Sequence, residues 1–360
     1  MGIQEKIKEI EEEMARTQVN KATEYHLGVL KAKLAKLRRQ LIAPKGSGGK
    51  IGFDIRKSGD ATAVIIGLPS VGKSTLLNKL TRAQSRAAAY AFTTLKCIPG
   101  VMEYKGARVQ ILDLPGIIKG AKDGRGRGRE IISVARNSDL ILVLVEAMHP
   151  KQIKTIESEL HGFGIRMNQK PPHVVINKLL KGGVTINSTV KLTKISENEI
   201  MAALNEYRIF NANVVLREDV SIDQFIDVLE ANRAYVPAVY LLTKSDLVTK
   251  KDLKNMPFKY DIAVAAEKDE GIEGLKEMIY QRLELISVYT KKKGEAADLE
   301  EPLVVRKGTT VGEVCERLHR DLRKEFRYAM VWGKSVKHQP QRVGLEHVLA
   351  DGDIVQIAKR

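Results

Sequence analysis

The stretch GLPSVGKSTLLNKL, Gly67 to Leu80, limits what this chain can fold into more than any other. Gly67, four residues, then Gly72, Lys73 and Ser74 is the spacing of a phosphate-cradling loop, in which glycines let backbone N–H groups wrap an anion. The apolar, β-branched run ATAVII (Ala61 to Ile66) precedes the loop, and the helical TLLNKL follows it. Strand, glycine loop and helix therefore occur in the required order. The loop alone specifies only a nucleoside triphosphate.

Periodicity divides the rest of the chain. Ile3, Ile7, Ile10 and Met14, then Leu27, Leu30, Leu34, Leu37 and Leu41, recur at helical spacing and predict an αα-hairpin turning near Asn20. Lys31, Lys33, Lys36, Arg38 and Arg39 give its second arm a basic face, a candidate for RNA contact against the plainer reading of a solvated face. A glycine-rich connection, APKGSGGKIGFDIRKSGD, leads to the strand before the loop. CIPGVMEYKGARVQILDLPG reads as two strands around Lys105 and Gly106, the second ending at Asp113; DLILVLVE, PAVYLLTKSD and YDIAVAA supply further strands. Strands alternating with helices predict a doubly wound, mostly parallel α/β sheet with its ligand at the strand carboxyl ends.

About ninety residues separate the strands at 139–146 and 237–243, far more than the roughly dozen of a crossover. A small α+β insertion with a helix at about 197–207 is expected there. The final sixty or so residues, from EPLVV to the end, read as strand, helix and three strand-like pieces, a compact ubiquitin-like module with Trp332 and Tyr328 in its core, against the alternative that the basic, aromatic stretch RLHRDLRKEFRY beside them faces RNA.

Charge and cysteine content narrow the function classes. The 360 residues carry a net charge of +16, which draws a protein toward polyanions such as RNA or the ribosome; a solvated lysine-rich surface is the alternative. Cys97 and Cys315 stand far apart with no second thiol or histidine at metal spacing, so neither a disulfide framework nor a zinc site is expected. His26, His149, His161 and His173 are scattered and show no ligand spacing. No apolar run reaches the roughly 18 residues of a membrane span and the first residues are charged, so a cytoplasmic protein without membrane association is expected.

Three further motifs select the ligand. DLPG (Asp113 to Gly116) sits at a strand end, where a carboxylate can hold a Mg2+-bound water and the Gly116 N–H can face a γ-phosphate. FTTL (Phe92 to Leu95) lies in a polar loop suited to offering a hydroxyl to Mg2+. TKSD (Thr243 to Asp246) reads the base: a carboxylate accepts hydrogen bonds from guanine N1–H and the N2 amino group, whereas adenine presents an acceptor N1 to that anion. GTP is favoured over ATP.

GLPSVGKSTLLNKLT, YAFTTLKCIPG, DLPGIIKGA with DGRGRGRE, and VWGKSVKHQPQRVG together resemble the developmentally regulated GTP-binding proteins, a branch of the Obg-related GTPases. The likeness extends to the N-terminal EMARTQVNKATEYHLGVLKAKLAKLRRQL and so covers nearly the whole chain. It implies a P-loop GTPase domain at 46–164 and 236–290, an N-terminal helical hairpin at 1–45, an S5D2-like insertion at 165–235 and a C-terminal ubiquitin-like (β-grasp) TGS domain at 291–360. It also implies GTP hydrolysis, work on ribosomes and translation, and regulatory proteins that dock on relatives, here on the TGS domain of a monomer.

Carried over position by position, the phosphate loop Gly67, Leu68, Pro69, Ser70, Val71, Gly72, Lys73, Ser74 and Thr75 would hold the phosphates, with Lys73 on the β- and γ-phosphates. Ser74 and Thr94 would bind Mg2+ directly, and Asp113 through water. Phe92, Thr93 and Thr94 form the first switch, and Gly116 would close on the γ-phosphate. The catalytic set is Lys73, Thr94 and Gly116. Thr243, Lys244 and Asp246, with Ala265 and the Ala266 N–H, would hold guanine.

Four departures stand out. Thr243 replaces the usual Asn and loses the amide that braces the loop; Ala265 replaces the usual Ser before Ala266. Ile117, where Ras-like enzymes carry a water-orienting Gln, cannot hydrogen-bond, which predicts slow intrinsic hydrolysis. Ser70 stands where an Asn is often linked to a potassium ion, so K+ stimulation, implied by the resemblance, stays open. Gly120 to Arg129 reads as a mobile second switch, whose arginines meet solvent or RNA phosphate rather than supply an arginine finger. The competing classes are an RNA- or ribosome-binding factor with a structural nucleotide site, and a P-loop ATPase.

Overall fold

The computed structural model describes residues 2–18, 20, 23–42, 59–81, 98–114, 127–292 and 294–359. Helices α1 (Ile3–Arg16) and α2 (Glu24–Ile42) open the chain, followed by β1 (Ala61–Gly67), α3 (Lys73–Leu80), β2 (Ile98–Tyr104) and β3 (Ala107–Asp113). Then come α4 (Arg127–Asn137), β4 (Leu140–Glu146), α5 (Gln152–Gly162), β5 (Ile165–Met167), β6 (Val174–Lys178) and β7 (Val184–Ser188). α6 (Glu197–Glu206), β8 (Ala212–Leu216), α7 (Ile222–Glu230) and β9 (Ala234–Val236) lead to β10 (Ala238–Thr243), α8 (Lys250–Lys254), β11 (Ile262–Val264) and α9 (Ile272–Arg282). The chain ends in β12 (Leu285–Thr290), β13 (Leu303–Arg306), α10 (Val311–Leu318), α11 (Arg320–Lys324), β14 (Phe326–Trp332), β15 (Gln341–Val343) and β16 (Ile354–Lys359). By contacts these elements fall into two compact units, one drawn from 1–54, 117–137 and 151–236, the other from 55–116, 138–150 and 237–360.

In the second unit, six strands form one sheet in the order β11-β10-β4-β1-β3-β2. All neighbours are parallel except the edge hairpin of β2 and β3. β1 is buried along its whole length, which explains its unbroken apolar sequence: a strand covered on both faces has no polar alternation to show. The doubly wound sheet expected from the sequence is present.

The five C-terminal strands make a second sheet, ordered β13-β12-β16-β14-β15, with β12 and β16 parallel and the remaining pairs antiparallel. α10 covers it, burying Val311, Val314 and Cys315 against Val288, Ala329 and Val331. This is the β-grasp arrangement. Its first strand, β12, precedes the expected start at 291, so the module takes in the last residues assigned to the nucleotide domain. A second correction concerns the aromatics. Strand alternation after the bulge at Phe326/Tyr328 turns Ala329 and Val331 inward, leaving Tyr328 and Trp332 half-buried on the opposite face. There the Arg342 guanidinium lies 4.3 Å from the Tyr328 ring centre and the Lys291 ammonium 4.9 Å from that of Trp332.

The module is tied to the base of the large sheet. Arg306 pairs with Asp139, whose carboxylate also accepts the Thr62 N–H at 2.8 Å, and Arg317 pairs with Asp60 at 2.5 Å. At the β2–β3 turn, Gly106 has φ +78°, and a Cβ there would lie 2.5 Å from Pro302 Cγ. Lys105 beside it meets Glu277 at 2.6 Å, which holds the Glu277 carboxyl down at about 2.

In the first unit, β6, β8 and β7 form a three-stranded sheet in that order. β8 alternates, with Ala212, Val214 and Leu216 fully buried beneath α6 and α7. Both helices begin with reciprocal caps: the Ser196 N–H donates to Glu199 and the Glu199 N–H to Ser196 Oγ, and Ser221 and Gln224 do the same. Ala32 and Ala35 of α2 complete this core, and β5 pairs in parallel with β9 to close the insertion. α4 and α5, expected with the nucleotide domain, pack in this unit. The basic arm of the hairpin is not a bare face: Lys31 pairs with Asp223, Lys36 with Glu206, Arg38 with Glu11 and Arg39 with Glu230.

Phe225 is fully buried at the centre of this core. Phe225→Ala is expected to destabilise the insertion by about 3–5 kcal/mol, through lost burial and the cavity left behind, as read from a lowered urea midpoint for the first unit.

Candidate functional site

The site lies at the carboxyl ends of β1, β3, β4, β10 and β11. Gly67 closes β1, where a Cβ would stand 2.9 Å from Val71 Cγ1 and 3.0 Å from the Leu144 carbonyl oxygen, so only glycine fits. The loop then turns through Ser70 (φ 64°) and Gly72 (φ 93°) into the start of α3. Backbone N–H groups at a helix start, reinforced by the helix dipole, make an anion cradle. The Lys73 ammonium donates to the carbonyls of Gly67 (3.1 Å) and Leu68 (2.9 Å), folding over the loop. Burial lowers its pKa, and the nearby Asp113 carboxylate offsets part of that shift.

Ser74 Oγ donates to Asp113 Oδ2 at 3.1 Å. Asp113 is buried, and its Oδ1 has no hydrogen-bond partner among the described residues. An orphaned carboxylate oxygen beside a hydroxyl, both hard oxygen donors next to a phosphate cradle, fits a magnesium ion held partly through water.

Thr243 is better suited to its position than the sequence indicated. Its hydroxyl donates to the Val71 carbonyl at 2.9 Å, with the Val145 carbonyl at 3.3 Å, so β10 braces the phosphate loop without an amide. A hydroxyl aimed across the sheet does the work expected only of Asn. Beyond it lies a cavity of about 270 Å3, walled by Gly72, Thr75, Lys244, Asp246, Val264 and Ala266. Phosphate loop and base motif thus border one hollow. Ala265, directly after β11, is buried.

Two charged partners were missed in the sequence. Lys244, in the left-handed region at φ 54°, sends its ammonium to Glu146 Oε1 at 2.9 Å. Lys268 pairs with Asp246 Oδ2 at 3.1 Å. Glu146 is the last residue of β4, and an acid closing a buried strand at the ligand edge was the available signal; Lys268 follows the AAE after β11 and matches no motif. Phe92, Thr93, Thr94, Gly116 and Ile117 lie outside the described residues, as does the second switch up to Gly126; Arg127 already begins α4.

Comparison with known proteins agrees with this geometry. Residues 62–178 match the family described as 50S ribosome-binding GTPase, 181–285 the C-terminal region of that domain, and 286–359 the TGS domain, a junction that falls at β12. An uncharacterized GTP-binding protein of Methanocaldococcus jannaschii is 52% identical over 99% of this chain and 93% of its own length. Developmentally-regulated G-protein 3 of Arabidopsis thaliana is 50% identical over 99% of both chains. Developmentally-regulated GTP-binding protein 2 of Homo sapiens is 49% identical over the full length of both. At such identity, end to end and with the site geometry in place, the chain belongs to the developmentally regulated GTP-binding protein family.

Proposed function

We propose that this protein is a Mg2+-dependent guanine-nucleotide switch that hydrolyses GTP slowly and acts on ribosomes in the cytoplasm. The observation that carries the reading is the single hollow in which Asp246 faces the nucleotide loop. Its carboxylate can take both donors of the guanine edge, and Thr243 fixes the distance between base and phosphates by holding Val71. Lys73 would leave the loop carbonyls for the β- and γ-phosphates, where its charge offsets what develops on the leaving oxygen. A bound magnesium ion would neutralise phosphate charge, with Ser74, Thr94 and Asp113 as its holders. Thr94 and the Gly116 N–H would sense the γ-phosphate.

Hydrolysis is slow in this reading because Ile117 offers the attacking water no hydrogen bond. Acceleration then comes from another group: a switch residue, a bound partner, or a potassium ion near Ser70. The name of the matching family, the relatives' names and the charge of +16 support guanine nucleotide as ligand and the ribosome as partner. The half-buried Tyr328 and Trp332, each beside a cation, offer RNA a stacking face on a monomeric TGS domain, which a regulatory protein could equally cover. Ile117 also favours a second reading, a ribosome-binding factor whose nucleotide site is structural.

Two measurements test these readings. Asp246→Asn is expected to weaken GDP binding at least about a hundredfold and to gain affinity for xanthosine diphosphate, measured by fluorescence titration; unchanged GDP affinity would remove Asp246 from the base site. Multiple-turnover phosphate release is expected at a rate on the order of 10⁻³ per second or below for the isolated protein, rising with ribosomes or potassium. Nucleotide binding without turnover under every condition would leave the structural-site reading standing.

A further inference from the structure

A second polar hollow, also about 270 Å3, lies wholly within the first unit, between α2, the end of α5 with β5, and α7 with β9. Its floor is built of charge. Arg166, 3% exposed, forks onto Asp227 with both contacts at 2.6 Å and gives its third nitrogen to the His161 carbonyl at 2.7 Å. Arg233, 8% exposed, shares the same carboxylate at 2.7 Å. Arg136 comes alongside: a Cβ on Gly164 would stand 3.1 Å from a terminal nitrogen of each of Arg136 and Arg233. Arg136 donates to the Phe163 and Asn232 carbonyls, which carry no charge.

Two buried guanidiniums therefore share one carboxylate, and a third, half-buried, lies beside them on uncharged carbonyls. Burying such an excess is costly unless a counter-ion is close. The local potential is visible in the neighbours: burial and the other two arginines lower Arg136 from its ordinary value, and burial with Arg166 lowers His161. At the rim stand Lys31 and Arg38, about 30% exposed and already matched by Asp223 and Glu11. The rim is thus neutral and the floor positive. The volume falls below the roughly 300–1,000 Å3 of pockets for drug-sized ligands and suits a small ion or one group of a larger molecule.

We propose that this hollow binds a phosphate-class oxyanion, with Arg166 and Arg233 at its floor and Lys31 and Arg38 at its rim. The bound anion supplies the missing counter-charge and pins the hairpin to the insertion. Its source is either the free ion or a backbone phosphate of RNA. The inference is independent of the nucleotide site.

The test uses the full chain saturated with GDP and Mg2+, so that the phosphate loop is filled. Inorganic phosphate is titrated by calorimetry at constant ionic strength, with chloride as control. One saturable site is expected. The Lys31→Gln/Arg38→Gln double variant is expected to bind phosphate at least tenfold more weakly. Gly162→Asp serves as a second variant: a Cβ there meets the Arg38 guanidinium at ordinary contact distance, 3.8 Å, and the new carboxylate would occupy the anion's place and abolish the titration. A short single-stranded RNA that competes with phosphate in the parent chain assigns the anion to RNA; a titration unaffected by RNA assigns it to the free ion. Absence of a saturable site, or one undiminished in both variants, overturns the proposal.

Discussion

No side chain fits at Gly67. Held between Val71 and the Leu144 carbonyl, it lets the phosphate loop lie directly on β4. Val71 is then fixed from the other side, since its carbonyl receives the Thr243 hydroxyl from β10. One close approach and one hydrogen bond thereby lock the ends of β1, β4 and β10 into a single frame. The geometry of the anion cradle, the Ser74–Asp113 pair and the base carboxylate follows from that frame. A larger residue at Gly67 would displace the loop from β4, and base and phosphates would no longer be spaced for one ligand.

The charges divide between two uses. Net positive charge alone points to a polyanion, but much of the basic hairpin arm is spent inside its own unit, on Asp223, Glu206, Glu11 and Glu230. The arginines beneath it are buried around Asp227. Outside the hollow they floor, cations flank half-buried aromatic rings on the β-grasp module. Sequence counts charges, and packing decides which of them reach solvent.

Legibility followed the distance over which each feature is determined. The β1–loop–α3 unit, the β2–β3 hairpin and the helix at 197–206 are set by local spacing and could be read directly. β12 could not be assigned to its module, because its parallel partner β16 lies far along the chain and only pairing reveals membership. Tyr328 and Trp332 were read as core from their type, whereas strand alternation after a bulge turned them outward. Thr243 looked like a loss because its acceptor is 172 residues away. Glu146 and Lys268 carried no motif; only the fold puts them against Lys244 and Asp246. Gly67, Lys73, Ser74, Asp113 and Asp246 come together at the strand ends because each belongs to a short local motif and the strand order brings those motifs to one edge of the sheet.

The central claim is that one frame holds a guanine nucleotide. Displacement of fluorescent GDP by unlabelled GDP and by ADP, in the presence of Mg2+, tests it most directly. GDP is predicted to compete at concentrations at least about a hundredfold lower than ADP, because a site built to receive two donors rejects a base that lacks them. Equal competition by the two would contradict the account.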